Sequence, residues 1–174
     1  HHLLDRKKAR QLLKAATGEK IIEAELLIIP SETIFMIAEI VKENLKEIGI
    51  DLTINVQSLD KMNQLASQGK CDLYLTFFTG IMDPSTVLNW FRSGERWNFS
   101  HWTNSEYDRL VDLAEFELDI AKRAELYIQA QKIINQDCWA VWLTNGAGIL
   151  LRQRFINTGK IYPDGSLAPW LIQK

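Results

Sequence analysis

Residues 72–91 read DLYLTFFTGIMDPSTVLNWF, residues 98–114 NFSHWTNSEYDRLVDLA, and residues 122–143 KRAELYIQAQKIINQDCWAVWL. The first run continues an apolar stretch, 71–78, with the length of a buried strand. A loop carrying Asp83-Pro84 follows. Pro84 suits a first helical turn, where its missing N–H would find no partner anyway, and Asp83 stands where an N-cap belongs, so a helix to about Phe91 is predicted. In the second run Ser105-x-x-Asp108 has the outline of a capping box, and Tyr107, Leu110, Val111, Ala114 and Leu118 continue one apolar face. Asp119 opens another helix, with Leu126, Tyr127, Ala130, Ile133 and Ile134 facing inward. Residues 139–143 and 149–151 read as strands joined through Asn145-Gly146-Ala147-Gly148.

Upstream, 5–16 reads as a short helix with Asp5 as N-cap and Ala9, Leu12, Leu13 and Ala16 on one face, and Gly18 follows its end. The apolar run 21–29, bounded by Gly18 and Pro30, is expected to be a buried strand. Ile34, Ile37, Ala38, Val41, Leu45 and Ile48 form one stripe on a long helix that Gly49 ends. Residues 50–56 alternate as a strand with one buried face, and 59–67 form a short helix before Gly69. Strand, helix and strand in this length make a βαβ unit, so the strands should be parallel with a right-handed crossover. The repeated alternation predicts an α/β fold: an open, mixed but mostly parallel sheet with helices on both faces. The tail 155–174 has turn signals at Asn157, Gly159 and Pro163-Asp164-Gly165 and no strong period.

The chain of 174 residues suits one domain, able to bury about 70% of its unfolded surface. A net charge of −2 with a pI near 6.0 argues against nucleic acid, which wants a basic face. No apolar run approaches the ~20 residues of a membrane span. Cys71 and Cys138, far apart and without metal-ligand spacing, read as buried thiols, with a disulfide between neighbouring strands as the alternative. The opening His1-His2 resembles the end of a purification tag. Residues 1–2 are therefore taken as a tag remnant and 3–174 as a single lobe.

Ligands of open α/β sheets bind at the carboxyl ends of strands, which selects loops 30–33, 79–84 and 144–148. The first two open helices, whose free N–H groups favour an anionic group. Candidate contacts are Phe77, Phe78, Thr79, Gly80, Ile81, Asp83, Trp90, Trp102 and Asn145. Asp83 has two readings: the cap of the helix at Pro84, or a partner for an ammonium or other cation. Aromatic residues here either pack the core or wall a pocket. Alternation on a strand leaves a core position for one of Phe77 and Phe78. His101 is the single histidine beyond the first two residues, and no Ser or Cys lies in a nucleophile motif. No phosphate loop, GxGxxG or paired-Cys zinc pattern occurs. No enzyme, metal or cofactor is expected.

The order of these segments resembles the family 5 extracellular solute-binding proteins, the capture subunits of ABC importers. The likeness rests on Asp5-Arg6-Lys7-Lys8-Ala9-Arg10-Gln11-Leu12-Leu13, on Ile37-Ala38-Glu39-Ile40 through Gly49-Ile50, and most clearly on Lys122-Arg123 through Tyr127, Ala130-Gln131 and Ile133-Ile134, with Asn104, Glu106 and Asp108 before them. The resemblance implies a type II periplasmic-binding-protein-like lobe, the second of two, with the first lobe absent. It implies an extracytoplasmic monomer, periplasmic or a cell-surface lipoprotein. Such a protein captures a small solute, peptides among them, by lobe closure and delivers it to ABC permease subunits. In peptide-binding members an acidic residue just upstream of the Asp-Pro position pairs with the peptide amino terminus. Here Gly80 or Ile81 stands there, so either Asp83 substitutes or the solute lacks an ammonium at that point. The alternatives are a solute-sensing module of a regulatory protein and an α/β enzyme.

Overall fold

In the computed structural model, which describes residues 5–78 and 83–144, the apolar run after Gly18 forms strand β1 (Ile22–Ile28). It pairs in parallel with β2 (Ile50–Val56), Ile22 opposite Ile50 and Ile28 opposite Val56. On its other edge β1 pairs in parallel with β3 (Leu73–Tyr74), giving the sheet order β2-β1-β3. Helix α2 (Glu32–Lys46) connects β1 to β2, with the Ser31 hydroxyl accepting from the Ile34 N–H at its start. At its far end Gly49 takes φ +104°, a conformation a side chain disfavours, and its carbonyl accepts from the Ile22 N–H at the mouth of β1.

Period-two alternation sets what α2 covers. Ala24, Leu26 and Ile28 of β1, Leu52 and Ile54 of β2, and Leu75 pack with Ile34, Ala38, Val41 and Leu45 of α2. Leu27 points to the opposite face and is fully buried, so that face is covered too. Helix α3 (Leu59–Ser67) buries Met62 and Ala66. Helix α1 (Arg6–Thr17) buries none of its residues, despite its apolar stripe, and is fastened by polar contacts. Arg6 pairs with Glu47 at 2.7 Å, and Arg10 donates to the Glu47 carbonyl at 2.8 Å.

The third strand is shorter than the expected 71–78. Leu75 still donates to the Leu27 carbonyl at 2.9 Å, but β1 ends at Ile28, and Pro30 beyond it has no N–H to offer. Pairing is confined to Leu73 and Tyr74, opposite Leu26 and Leu27.

Residues after Phe77 belong to a second compact unit. It contains α4 (Pro84–Leu88), a 3-10 turn (Asn89–Phe91), α5 (Ser105–Phe116) and α6 (Ile120–Asp137). The cap of α5 is Asn104, whose side-chain oxygen accepts from the Glu106 and Tyr107 N–H groups. Ser105 is thus already helical and the expected capping box does not form. Helix α5 ends at Phe116, which leaves Leu118 94% exposed, outside the face assigned to it. Asp119 caps α6 as expected, accepting from Ala121 and Lys122. The core joins Leu88 and Phe91 to Tyr107, Leu110, Val111 and Ala114 of α5 and to Tyr127, Ala130 and Ile134 of α6.

Helix α6 stops at Cys138, which takes left-handed φ +52° and donates its N–H to the Ile134 carbonyl. Residues 139–144 then form no strand, contrary to expectation. Their apolar character is spent otherwise. Trp139 packs on the core, while Val141, Trp142 and Leu143 are exposed and have no paired backbone neighbour among the described residues. The expected strand at 149–151, its connection from Asn145 and the tail lie outside the described residues.

The sheet with its covering helices, followed by a helical unit, is an α/β architecture built on an open, parallel sheet.

Candidate functional site

The start of α4 is closed by its own residues. Pro84 has no N–H, the Ser85 N–H donates to the Asp83 carboxylate at 2.9 Å, and the Thr86 N–H donates to the Asp83 carbonyl at 3.1 Å. Asp83 is therefore a working N-cap. The donors expected to attract an anion at this helix start are already occupied.

The same carboxylate holds a guanidinium. Arg123, in the first turn of α6, donates from Nη1 to Asp83 Oδ2 at 2.9 Å and from Nη2 to Oδ1 at 2.8 Å, a two-point pair. Arg123 also donates from Nε to the Ala114 carbonyl at 3.3 Å, and its guanidinium carbon lies 5.2 Å from the Tyr127 ring centre. One side chain thus ties the head of α4, the end of α5 and the second turn of α6. The hydrogen bonds from Arg123 first, then those from Ser85, hold the Asp83 carboxyl at a pKa of about 2. Asp83 in turn raises that of Arg123. Both residues stay charged across the ordinary pH range.

Beside this pair runs a string of aromatic rings. Phe78 lies 5.2 Å from Trp90 and 6.4 Å from Phe91. Trp90 continues to Trp97 at 6.0 Å, and Trp97 to Phe99 at 5.8 Å. In the other direction Phe91 meets Trp139 at 4.5 Å, which stacks on Trp102 at 5.6 Å. Trp102 is fixed further by its indole N–H, which donates to Asp137 at 3.0 Å, and by its edge-on contact with Tyr107. The bend that carries these rings is organised by Asn98. That buried side chain donates to the Arg92 and Trp102 carbonyls and accepts from the Ser100 hydroxyl.

Of the residues singled out from sequence, Phe78 and Trp90 are in direct contact, and Trp102 joins the same string at its far end. Phe77 belongs to the first unit and is 55% exposed, whereas Phe78 packs against the core of the second. Thr79, Gly80, Ile81 and Asn145 lie outside the described residues. Sequence reasoning missed the pairing of Arg123 with Asp83, although Arg123 and Tyr127 sit one turn apart on α6. It also gave no role to Asn89, whose Oδ1 is buried without a hydrogen-bond partner, as is the Trp139 indole N–H.

Among the described residues no group of three or more His, Cys, Asp or Glu side chains could hold a metal ion, and no helix is long and apolar enough to cross a membrane. A shallow open depression of about 510 Å³ is lined by Ser93, Thr103, Asn104, Ser105 and Asp108. Its polar groups serve the fold: Asp108 accepts from the Ser93 N–H, and Asn104 caps α5.

A chain with this architecture has close relatives among transport proteins. It is 31% identical over 143 residues to di/tripeptide-binding protein 1 of Pseudomonas aeruginosa, across 76% of this chain and 26% of that protein. Over 54 residues it is 44% identical to the probable deoxycholate-binding periplasmic protein YgiS of Escherichia coli, across 31% of this chain and 10% of that protein. Among solved structures, the Escherichia coli murein tripeptide binding protein MppA superposes with a TM-score of 0.67 at 27% identity, covering 74% of this chain and 26% of that one. The chain thus spans about a quarter of the length of the curated peptide-binding relatives it matches. These relatives are substrate-binding transport proteins rather than enzymes. The family model "Bacterial extracellular solute-binding proteins, family 5 Middle" matches residues 2–99, more than half of the chain, and the chain belongs to that family.

Proposed function

We propose that this chain is the solute-contacting lobe, 3–174, of a binding protein that captures a small organic solute and delivers it to the permease of an ABC importer. The family is extracellular, and the chain works outside the cytoplasm. The observation that carries the reading is the aromatic string that runs from Phe78 through Trp90 and Trp97 to Phe99. Rings placed there give a solute broad apolar and π contact while leaving specificity to a few polar groups. In this reading Phe78, Trp90 and the loop 79–81 line the solute, with Phe77, Trp102 and Asn145 contributing at its margins. Capture needs no covalent step, and we assign the chain no catalysis.

The names of the relatives favour a di- or tripeptide as the solute. The likeness to a protein named for deoxycholate supports a second reading, an amphipathic acid lying against the rings. Native mass spectrometry of the whole protein, purified without refolding, tests both. A retained peptide supports the first and a retained steroid-like acid the second. A protein that retains nothing, and whose tryptophan emission does not respond to either class at millimolar concentration, would refute capture.

A further inference from the structure

The described arginines of the second unit are Arg92, Arg96, Arg109 and Arg123. Three of them are spent on carboxylates: Arg92 on Asp112 and Glu115, Arg109 on Glu106, and Arg123 on Asp83. Arg96 is not. Among the described residues no carboxylate pairs with it, and its guanidinium carbon lies over the Trp97 ring, 5.2 Å from the centre. A contact of this kind is made to the ring face and leaves the guanidinium N–H donors unspent.

The backbone fixes this arrangement. The Asn98 N–H donates to the Glu95 carbonyl at 3.1 Å, which closes a turn with Arg96 and Trp97 at its two central positions. The buried Asn98 side chain clamps the turn by donating to the Arg92 and Trp102 carbonyls. Trp97 lies 6.0 Å from Trp90 and 5.8 Å from Phe99, and it is 40% exposed. The unspent cation therefore stands on the aromatic string itself, at a ring that solvent reaches.

We propose that Arg96 and Trp97 form a carboxylate subsite: the solute lays its apolar body along the rings and presents a carboxylate to the Arg96 guanidinium. The inference rests on the solute-capture reading above and narrows it to acids. A guanidinium offers parallel N–H groups to both oxygens of a carboxylate, and the indole shields one side of the pair from water. A free peptide carboxyl and the acid group of an amphipathic acid share this chemistry.

The test uses the whole protein and two matched pairs of probes, each an acid and its uncharged derivative. One pair is random tripeptides with a free carboxyl or a C-terminal amide; the other is deoxycholate or its methyl ester. Retention is measured by equilibrium dialysis and mass spectrometry. The wild-type protein is expected to retain the acid about tenfold or more over its derivative in one pair, the low end for a charged hydrogen bond because the site is exposed. The pair that shows the preference identifies the solute class. Arg96→Gln is expected to bring acid and derivative level, while Arg96→Lys, which keeps the charge, holds part of the preference. Equal retention of acid and derivative by the wild type overturns the proposal, leaves capture standing and needs no variant. A preference for acids that R96Q leaves intact overturns it too, because the carboxylate is then read elsewhere. A loss of acid and derivative alike in R96Q marks a merely structural stack and has the same consequence. Retention of no probe by the wild type sinks capture itself, and the inference falls with it.

Discussion

Removing one oxygen atom from Tyr107 tests how the second unit is held together. Its ring is wholly buried, edge-on to Trp102 at 5.0 Å, and its hydroxyl donates to the Leu88 carbonyl at 2.5 Å. That bond joins α5 to the end of α4, and so to the segment that carries the aromatic string. Tyr107→Phe keeps the ring and its packing. What it removes is one buried hydrogen bond, in a place where Leu88 is itself only 5% exposed and water is not at hand to replace the donor. A net bond contributes about 0.5–1.5 kcal/mol, and an acceptor stranded in a dry site costs about 1–3 kcal/mol, so a loss of about 1–2 kcal/mol is expected. For a unit of this size that corresponds to a fall in Tm of roughly 4–15 °C. Tyr107→Ala, which also deletes the ring, should cost about 3–5 kcal/mol.

Tryptophan fluorescence is the natural assay, because Trp90, Trp97, Trp102, Trp139 and Trp142 lie in the second unit and the first unit has no tryptophan. Burial first, and the neighbouring Asp108 charge second, push the Tyr107 hydroxyl above the usual tyrosine range. The folded state therefore keeps its proton after the unfolded chain has lost it. This contribution is complete below the unfolded tyrosine pKa of about 10 and fades as pH rises above it. The phenylalanine variant should show a flatter alkaline limb. A Tyr107→Phe protein that melts within about 1 °C of wild type, while Tyr107→Ala melts far below, would show that the hydroxyl bond is not what joins α4 to α5.

Three other expectations follow from the same structure. Leu27→Ala removes a fully buried side chain from the central strand and should cost about 2–5 kcal/mol, read by far-UV circular dichroism because the first unit has no tryptophan. A loss under about 1 kcal/mol would mean that the face opposite α2 is not packed as described. Asp83, held at about 2 by Arg123, contributes stability that is present above its unfolded pKa and lost as pH falls from about 4 to 2. With 40% of its side chain exposed Asp83 should contribute only modestly, and Asp83→Asn should remove that stretch of the acid limb in a fluorescence titration. An unchanged acid limb would argue against the pair. Cys138→Gly relieves a left-handed residue at the end of α6 and should stabilise the second unit by about 0.5–1 kcal/mol. A loss of stability would show that the thiol, which donates to the Asn135 carbonyl, matters more than the strain.

Much of the first unit was legible because its signals are local. The alternation at Ile50, Leu52, Ile54 and Val56 and the stripe from Ile34 to Leu45 each fix a face, and Gly49 marks the turn between them. The βαβ order then leaves a parallel pairing as the simple solution, and β1 and β2 pair in parallel over seven residues each. Expectations failed where an element's extent depends on a partner. Residues 71–78 are apolar enough for a strand, but only Leu73 and Tyr74 pair with β1. Residues 139–143 have strand composition, yet strand formation needs a neighbour's backbone, which composition does not report. The cap of α5 was misplaced by one residue because Asn104 and Ser105 are both good caps. The choice between them is made by which side chain meets the N–H groups of Glu106 and Tyr107.

The site was less legible than the fold, and Asp83 shows why. A carboxylate offers about four lone-pair positions, so capping one N–H leaves room for a cation, and the two sequence readings of Asp83 were never exclusive. The cation that takes those positions is Arg123, forty residues downstream. Its approach to Asp83 is set by the phase of α6, which in turn depends on where α5 stops and Asp119 starts the next helix. Each residue added or removed between the start of α6 and Arg123 would turn its side chain by about 100° around the helix axis and release the Asp83 oxygens. The pairing of Asp83 is therefore written in helix phase rather than in the composition around Asp83 itself.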